Sequence, residues 1–173
     1  MTIKMTLDIK SKAEAYCRSY AEAVELASKD KDSRTEKMAE ALFSHYVQKD
    51  FTAFTSGQRL TMGDKNTSVP LIQSYLDKWI ELGLGLDISM DNSRVEVVSD
   101  LGQQGGGQAF CWITWTLHPP TGSEWHGKGW SWENVYAFRL PPGQDNGHFE
   151  FVVNDNETAT LLQRIPNFFE GLM

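Results

Sequence analysis

The sequence has little of what marks several large classes of protein. It has only two cysteines, Cys17 and Cys111, which form no CxxC pair, so neither a disulfide framework nor a thiol-based motif is indicated. No apolar run approaches the roughly 20 residues that span a bilayer. The first ten residues also lack the apolar region of a secretory signal. We therefore predict a cytoplasmic protein whose two thiols stay reduced in the core.

Basic residues are also in short supply. The chain has 16 Lys and Arg against 23 Asp and Glu, which gives a net charge of −7, and the basic residues are scattered. Nucleic acids and anionic membranes both need clustered positive charge, so we expect neither as a partner. With 173 residues and 40% hydrophobic content, the sequence predicts a single domain over 1–173 with a sizeable core.

Common catalytic and ligand-binding motifs are missing as well. There is no GxSxG or HExxH motif. The glycine-rich run 102–107 joins two predicted strands, whereas a phosphate cradle needs a strand followed by a helix. His118, Glu124 and His126 flank a proline-containing turn in a spacing that matches no known metal site. We therefore expect no metal and no cofactor.

The first half of the chain has a helical period. Apolar residues recur every three or four positions over 11–28, 34–48 and 69–83, which predicts three helices, the first capped by Ser11. The run FTAFT at 51–55 predicts a short strand between the second and third helices.

From residue 86 the period changes to two. Glycine- and proline-rich loops separate four predicted strands and a short last helix follows them; the strands are 86–100, 108–118, 125–140 and 148–155, and the helix is 157–164. Three helices followed by a long antiparallel sheet predict the α+β class, with the helices covering one face of the sheet.

The strand 125–140 is the richest in aromatic residues. Its even-numbered positions carry most of the bulk, so we expect them to face the interior; they are His126, Lys128, Trp130, Trp132, Asn134, Tyr136 and Phe138. A one-residue bulge would turn Glu133 inward instead.

Four residues are candidates for catalysis, and each has a structural alternative. An imidazole side chain titrates near neutrality, so His126 suits general acid/base work, or it is a partly exposed hairpin histidine. Asn134 could hold an enolate oxygen, or it is a buried amide with satisfied hydrogen bonds. Glu133 could donate a proton if buried, or it pairs with a cation on the outer face. Asp155 ends the last predicted strand, or it caps the following helix.

Aromatic residues are the candidates for the pocket wall. The tyrosines on the helices could polarise a carbonyl, or they pack in the core with satisfied hydroxyls. The predicted wall consists of Tyr16, Tyr20, Tyr46, Phe54, Trp79, Trp112, Trp130, Trp132 and Tyr136.

The pattern over about 11–165 resembles the NTF2-like superfamily, and more narrowly its SnoaL-like and scytalone-dehydratase-like branch. The likeness rests on a first helix that bears tyrosines and on four segments, HYVQKDFTAFTSG (45–57), SVPLIQSYLDKW (68–79), WENVYAFRL (132–140) and FEFVVND (149–155). The resemblance implies a cone-shaped half-barrel of curved sheet with a deep pocket and frequent homodimerisation through the outer sheet face. It also implies that Asp155 lies near the mouth of that pocket.

The activities that the resemblance implies are diverse. They include cofactor-free isomerases, dehydratases, cyclases and epoxide hydrolases, and some members only bind. The sequence departs from the ketosteroid-isomerase pattern because the first strand, FTAFT, carries no carboxylate. The two-histidine arrangement of scytalone dehydratase is not evident either, although Asn134 matches its pocket asparagine.

Three functions remain open at this point. The first is a cofactor-independent isomerase, dehydratase or cyclase acting on an apolar carbonyl compound, such as a polyketide or terpenoid intermediate of secondary metabolism. The second is a carrier of a small hydrophobic molecule without chemistry. The third is an interaction protein that uses its outer sheet face. A titratable group buried in a pocket would favour the first.

Overall fold

The computed structural model describes residues 8–172. Residues 1–7, part of the N-terminal segment considered above, lie outside this description. The elements in chain order are α1 (Ile9–Ser28), α2 (Arg34–Ser44), β1 (Thr52–Thr55), β2 (Gln58–Thr61), α3 (Lys65–Glu81), β3 (Ile88–Asp100), β4 (Gly107–Leu117), β5 (Trp130–Leu140), β6 (His148–Val153) and α4 (Asp155–Arg164).

Two helices begin earlier than the sequence pattern predicts, because aspartates cap them. The side chain of Asp8 accepts a 2.7 Å hydrogen bond from the Ser11 backbone amide, so Asp8 is the N-cap of α1 and the assignment of Ser11 was wrong. Asp64 caps α3 in the same way, through a 3.2 Å bond from the Thr67 amide. Pro70 therefore lies inside α3 rather than in its first turn.

The sheet has six strands in the order β2-β1-β6-β5-β4-β3. The pairs β3–β4, β4–β5 and β5–β6 are antiparallel, as predicted, but β1 pairs with β6 in parallel. The short exposed strand β2 was not predicted; it has no buried residue and therefore no alternating pattern in the sequence.

Strand β5 begins at Trp130, five residues later than predicted. Gly127 and Gly129 have positive φ angles of 74° and 56°, which end the extended conformation before Trp130. The preceding loop is held against the end of α3, because Trp125 Nε1 donates a 3.0 Å hydrogen bond to the Leu82 carbonyl. Residues 125–129 thus belong to a loop.

The sheet curves around the helices. Register shifts at Met90/Asn92 and Val97/Ser99 in β3 and at Ala137/Phe138 in β5 mark the bends. The even-numbered residues of β5 are buried, as predicted, and Glu133 lies on the exposed outer face. The α+β class is confirmed, with a curved, mostly antiparallel sheet whose concave face is covered by helices.

Candidate functional site

A cavity of about 630 Å³ lies between the concave face of the sheet and the helices, within the size range of small-molecule sites. Each of the four α-helices and six strands named above contributes to its wall, together with the segment after α4. The wall is mostly apolar and includes Phe51, Leu76, Trp79, Trp115, Leu117 and Phe169. An apolar ligand of two or three rings would bury most of its surface here.

Glu157 is the acidic residue in this wall. It belongs to the first turn of α4, and its carboxyl group lies among hydrogen-bond donors. Oε2 accepts hydrogen bonds from Tyr75 Oη at 2.8 Å and from Asn154 Nδ2 at 3.4 Å. Oε1 accepts one from Asn134 Nδ2 at 3.3 Å. Three elements, α3, β5 and the β6–α4 junction, thus fix the position of this carboxyl group.

Burial raises the pKa of the Glu157 carboxyl group above its usual range, because the charged form loses water. The hydrogen bonds from Tyr75, Asn134 and Asn154 favour the charged form and act in the opposite direction. The residue keeps some accessible surface, as expected of a group that lines an open cavity. A carboxyl group in this state can release and accept a proton closer to neutral pH than an exposed one.

A chain of hydrogen bonds runs along the cavity floor beside Glu157. Trp115 Nε1 donates to Tyr136 Oη at 3.1 Å, and Asn134 Nδ2 donates to the same oxygen at 3.4 Å. A phenol that accepts two bonds still has its own hydrogen to donate, and the donors behind it polarise that hydrogen. Tyr136 is therefore suited to donate to an oxygen of a bound ligand.

Two further hydroxyls of the wall face each other, at 3.0 Å between Tyr20 Oη and Tyr46 Oη. One of them donates and the other accepts, so the accepting hydroxyl keeps a hydrogen for another partner. Burial raises the pKa of Tyr20, Tyr46 and Tyr136. All three phenols therefore stay protonated and act as donors throughout the physiological pH range.

Five of the residues singled out in the sequence line the cavity, namely Tyr20, Tyr46, Trp79, Asn134 and Tyr136. Asn134 does not offer its amide nitrogen to a ligand directly, because both of its N–H bonds are engaged, one by Glu157 and one by Tyr136. Its place in the site is that of a positioning residue.

The other three catalytic candidates lie outside the cavity wall. His126 is exposed in the loop before β5, where its Nδ1 lies 3.1 Å from the Pro119 carbonyl oxygen. Glu133 is exposed on the outer face of the sheet. Asp155 accepts a 2.7 Å hydrogen bond from the Gly57 backbone amide, at the turn between β1 and β2.

The remaining aromatic candidates also lie outside the wall. The Tyr16 hydroxyl donates to the His45 carbonyl at 2.7 Å, and Trp132 is buried behind Trp79, with 5.6 Å between ring centroids. Trp130 is fully buried under the Arg164 guanidinium. Phe54 and Trp112 are partly exposed on the outer face of the sheet, because their inward-facing neighbours in the strands occupy the cavity side.

Sequence reasoning did not single out Glu157, although a signal was present. It precedes the buried residues Leu161 and Ile165 by four and eight positions, so it lies on the apolar stripe of α4. A carboxylate on such a stripe must be neutralised or hydrogen-bonded. The run NDNE is equally typical of a helix N-terminus, so the sequence also allows Glu157 to be an exposed residue of the first helical turn.

The hairpin of β1 and β2 covers one side of the cavity. Thr55, Ser56, Gln58 and Leu60 contribute to the wall. Two bonds hold the turn of the hairpin on α4, one from the Gly57 amide to Asp155 and one of 3.2 Å from the Ser56 amide to Thr158 Oγ1. The hairpin therefore forms this side of the cavity wall, in a position fixed by the same helical turn that carries Glu157.

No protein-family model and no curated protein matches this sequence. Solved structures do match its fold. An uncharacterised protein with a cystatin-like fold from Caulobacter vibrioides has a TM-score of 0.52 at 9% identity, over 90% of this chain and 94% of its own. The protein Aln2 from a Streptomyces species has a TM-score of 0.51 at 10% identity, over 89% of this chain and 94% of its own.

An NTF2-like protein of unknown function from Pseudomonas putida has a TM-score of 0.50 at 16% identity, over 83% of this chain and 85% of its own. These likenesses show the NTF2-like fold for this chain. At such identities they carry no information on its activity.

Within residues 8–172, no helix is long and apolar enough to cross a membrane. Over the same range, no three His, Cys, Asp or Glu side chains are grouped so that they could hold a metal ion.

Proposed function

We propose that this protein is a cofactor-independent isomerase, dehydratase or cyclase that moves a proton within an apolar, carbonyl-bearing small molecule. The observation that carries the proposal is the carboxyl group of Glu157, buried in an aromatic-walled cavity with a raised pKa. Perturbed acids in apolar clefts are typical of acid/base catalysis.

In the proposed reaction, the Glu157 carboxylate takes a proton from a carbon next to the ligand carbonyl. The electron pair of that C–H bond moves onto the carbonyl oxygen and gives an enolate. The protonated Glu157 then returns the proton to another carbon, or to a leaving hydroxyl group, which departs as water. No electrons enter or leave the ligand, so no redox cofactor is required.

The tyrosines supply the second half of this chemistry. Tyr136, polarised by Trp115, would donate its hydrogen to the oxygen on which negative charge develops, and the free hydrogen of the Tyr20–Tyr46 pair is a second donor. Such donors act more strongly in an apolar cavity than in water, because the low dielectric weakens electrostatic interactions less.

The alternative is a carrier that holds a hydrophobic molecule in the same cavity without chemistry. The apolar walls support this reading as well as they support an enzyme. The difference between the two is whether Glu157 transfers a proton.

Deuterium exchange separates the two functions without knowledge of the natural substrate. A panel of aromatic and terpenoid ketones in D₂O is followed by NMR for loss of the hydrogens next to the carbonyl. We expect the wild type to accelerate this exchange for at least one ketone that also raises its melting temperature. Glu157→Gln should lower the exchange rate by a factor of about 10² or more.

The matched control is Glu170→Gln, the same substitution at an exposed residue outside the cavity wall. It should exchange at the wild-type rate. Ketones that bind but do not exchange in the wild type would favour the carrier. Equal exchange in the wild type and in Glu157→Gln would remove Glu157 from the mechanism.

A further inference from the structure

The cavity wall is unusual in its charge. Among the described residues that line it, Glu157 is the single carboxylic acid, and there is no lysine, arginine or histidine. Arg59 lies between two lining residues, Gln58 and Leu60, and the alternation of β2 directs it to the opposite face. The wall thus offers no positive side chain to a ligand.

A ligand carboxylate would be unfavourable in this cavity in either state of Glu157. If Glu157 is ionised, two negative charges would share a site of low dielectric. If Glu157 is protonated, the ligand charge would still lose its water without gaining a cation. The net charge of −7 adds a long-range field of the same sign.

An uncharged carbonyl meets none of these costs. It needs only hydrogen-bond donors, and Tyr136 and the Tyr20–Tyr46 pair supply them as neutral phenols. The cavity therefore has the groups that a ketone oxygen requires and lacks the groups that a carboxylate requires.

We propose that the cavity discriminates between ligands by charge. It accepts molecules whose buried end is an uncharged carbonyl, and it rejects the carboxylates of the same shape. The proposal rests on the proposed function for the identity of the site, and it deepens that function by defining the class of ligand.

Matched pairs of probes test this directly, because an acetyl group and a carboxylate differ mainly by a methyl group in place of an oxygen anion. The pairs are 2-acetylnaphthalene with 2-naphthoate and 2-acetylanthracene with anthracene-2-carboxylate, at pH 8. Binding is measured by thermal shift and by quenching of tryptophan fluorescence, since Trp79 and Trp115 line the cavity.

We expect the ketone of at least one pair to bind at least about tenfold more tightly than its carboxylate. In Glu157→Gln the ketone should still bind more tightly than its carboxylate, because the wall offers no cation in either state of Glu157. The ratio should narrow where Glu157 is ionised, because the substitution removes that charge and keeps the shape. Glu170→Gln removes the same charge at an exposed site and should leave the ratio unchanged.

Three results would overturn the proposal. One is that no ketone binds better than its carboxylate, whether both bind or neither does. Another is a ketone that binds no more tightly than its carboxylate in Glu157→Gln. The third is an affinity ratio of ketone to carboxylate that narrows equally in Glu157→Gln and Glu170→Gln, which would assign the effect to net charge rather than to the cavity. None of these measurements involves turnover, so loss of the catalytic proposal would leave the charge discrimination standing, and the reverse also holds.

Discussion

The hydroxyl of Tyr75 on α3 donates a 2.8 Å hydrogen bond to Oε2 of Glu157 on α4, across 82 residues of sequence. The Tyr75 ring also contacts Phe168 and Phe169, with centroid distances of 5.7 and 6.5 Å. One side chain thus holds the carboxyl group in place and packs against the segment that follows α4. This contact makes the protonation of Glu157 sensitive to a single hydroxyl.

Tyr75→Phe should raise the pKa of Glu157 further. The hydrogen bond from Tyr75 favours the charged carboxylate and so lowers the pKa of Glu157. Without this bond, the effect of burial, which raises the pKa, is opposed less strongly. The basic form would then appear at higher pH, so the pH at which deuterium exchange reaches half of its maximum should increase while the maximum is largely kept. The variant should also lose about 1–3 kcal/mol of stability. An unchanged pH profile would show that the bond does not control Glu157.

Glu157→Gln should stabilise the protein more at high pH than at low pH. A carboxyl group whose pKa is raised on folding binds more protons when folded, so the wild type loses stability as pH rises from the unfolded pKa to the folded one. Glutamine does not titrate and removes this loss. Urea denaturation of both proteins from pH 4 to pH 8 measures the effect. Glu170→Gln, at an exposed position, serves as the control. If the difference in free energy of unfolding between the wild type and Glu157→Gln is constant across this pH range, the expectation is contradicted.

Asp155→Ala should loosen the β1–β2 hairpin. The substitution removes the acceptor of the 2.7 Å bond from the Gly57 amide, which costs about 0.5–1.5 kcal/mol. Hydrogen exchange of the Gly57 amide should accelerate. Asp155→Asn keeps an acceptor oxygen, so its exchange should stay close to that of the wild type. If the Gly57 amide of Asp155→Ala exchanges as slowly as that of the wild type, another contact holds the turn.

The outer face of the sheet carries an aromatic patch formed by Phe54, Phe110, Trp112 and Phe151. Its rings meet edge to face, with Phe54–Phe151 and Phe110–Phe151 centroid distances of 5.8 and 6.0 Å. Each of these rings is partly exposed, and contiguous apolar surface of this kind commonly marks interfaces. We expect a second copy of the chain to cover this patch, as a homodimer formed through the sheet.

Sedimentation velocity of Phe110→Glu tests the expected dimer. Phe110 lies opposite Glu96 in the sheet, so a carboxylate there would be buried in the dimer without a cation opposite it, and this variant should dissociate to a monomer. Leu26→Glu makes a similar change at an exposed position on α1, and it should leave the dimer intact. A wild-type protein that sediments as a monomer at high concentration would show the prediction to be wrong.

Much of the fold could be predicted from local patterns. The spacing of apolar residues changes from three or four to two at residue 86, and this change predicts where the helices end and the four later strands begin. The even-numbered side chains of β5 are the bulkier ones, which predicts that they face inward. The exceptions have local causes, since the Asp8 cap extends α1 and the glycines at 127 and 129 delay β5. The parallel pairing of β1 with β6 has no local signal, because it joins segments that are far apart in the chain.

The candidate site was only partly predictable. Asn134, Tyr20, Tyr46, Trp79 and Tyr136 lie in the cavity wall because each is on the inward face of its segment. The sequence predicts that His126 lies on a strand, but β5 begins only at Trp130, so His126 lies in the exposed loop before it. Glu157 has the periodicity of a core residue and the chemistry of a helix cap, and sequence pattern alone cannot rank these two roles.

The sequence by itself determined the α+β class, the order of most elements and the apolar faces that build the cavity, because those depend on side-chain periods along one element. Only the tertiary structure decided which polar groups share the cavity. Glu157, Tyr75, Asn134 and Asn154 come from separate segments, and their hydrogen bonds form only after α3, β5 and α4 have packed together. The raised pKa of Glu157 results from that packing, since it depends on burial.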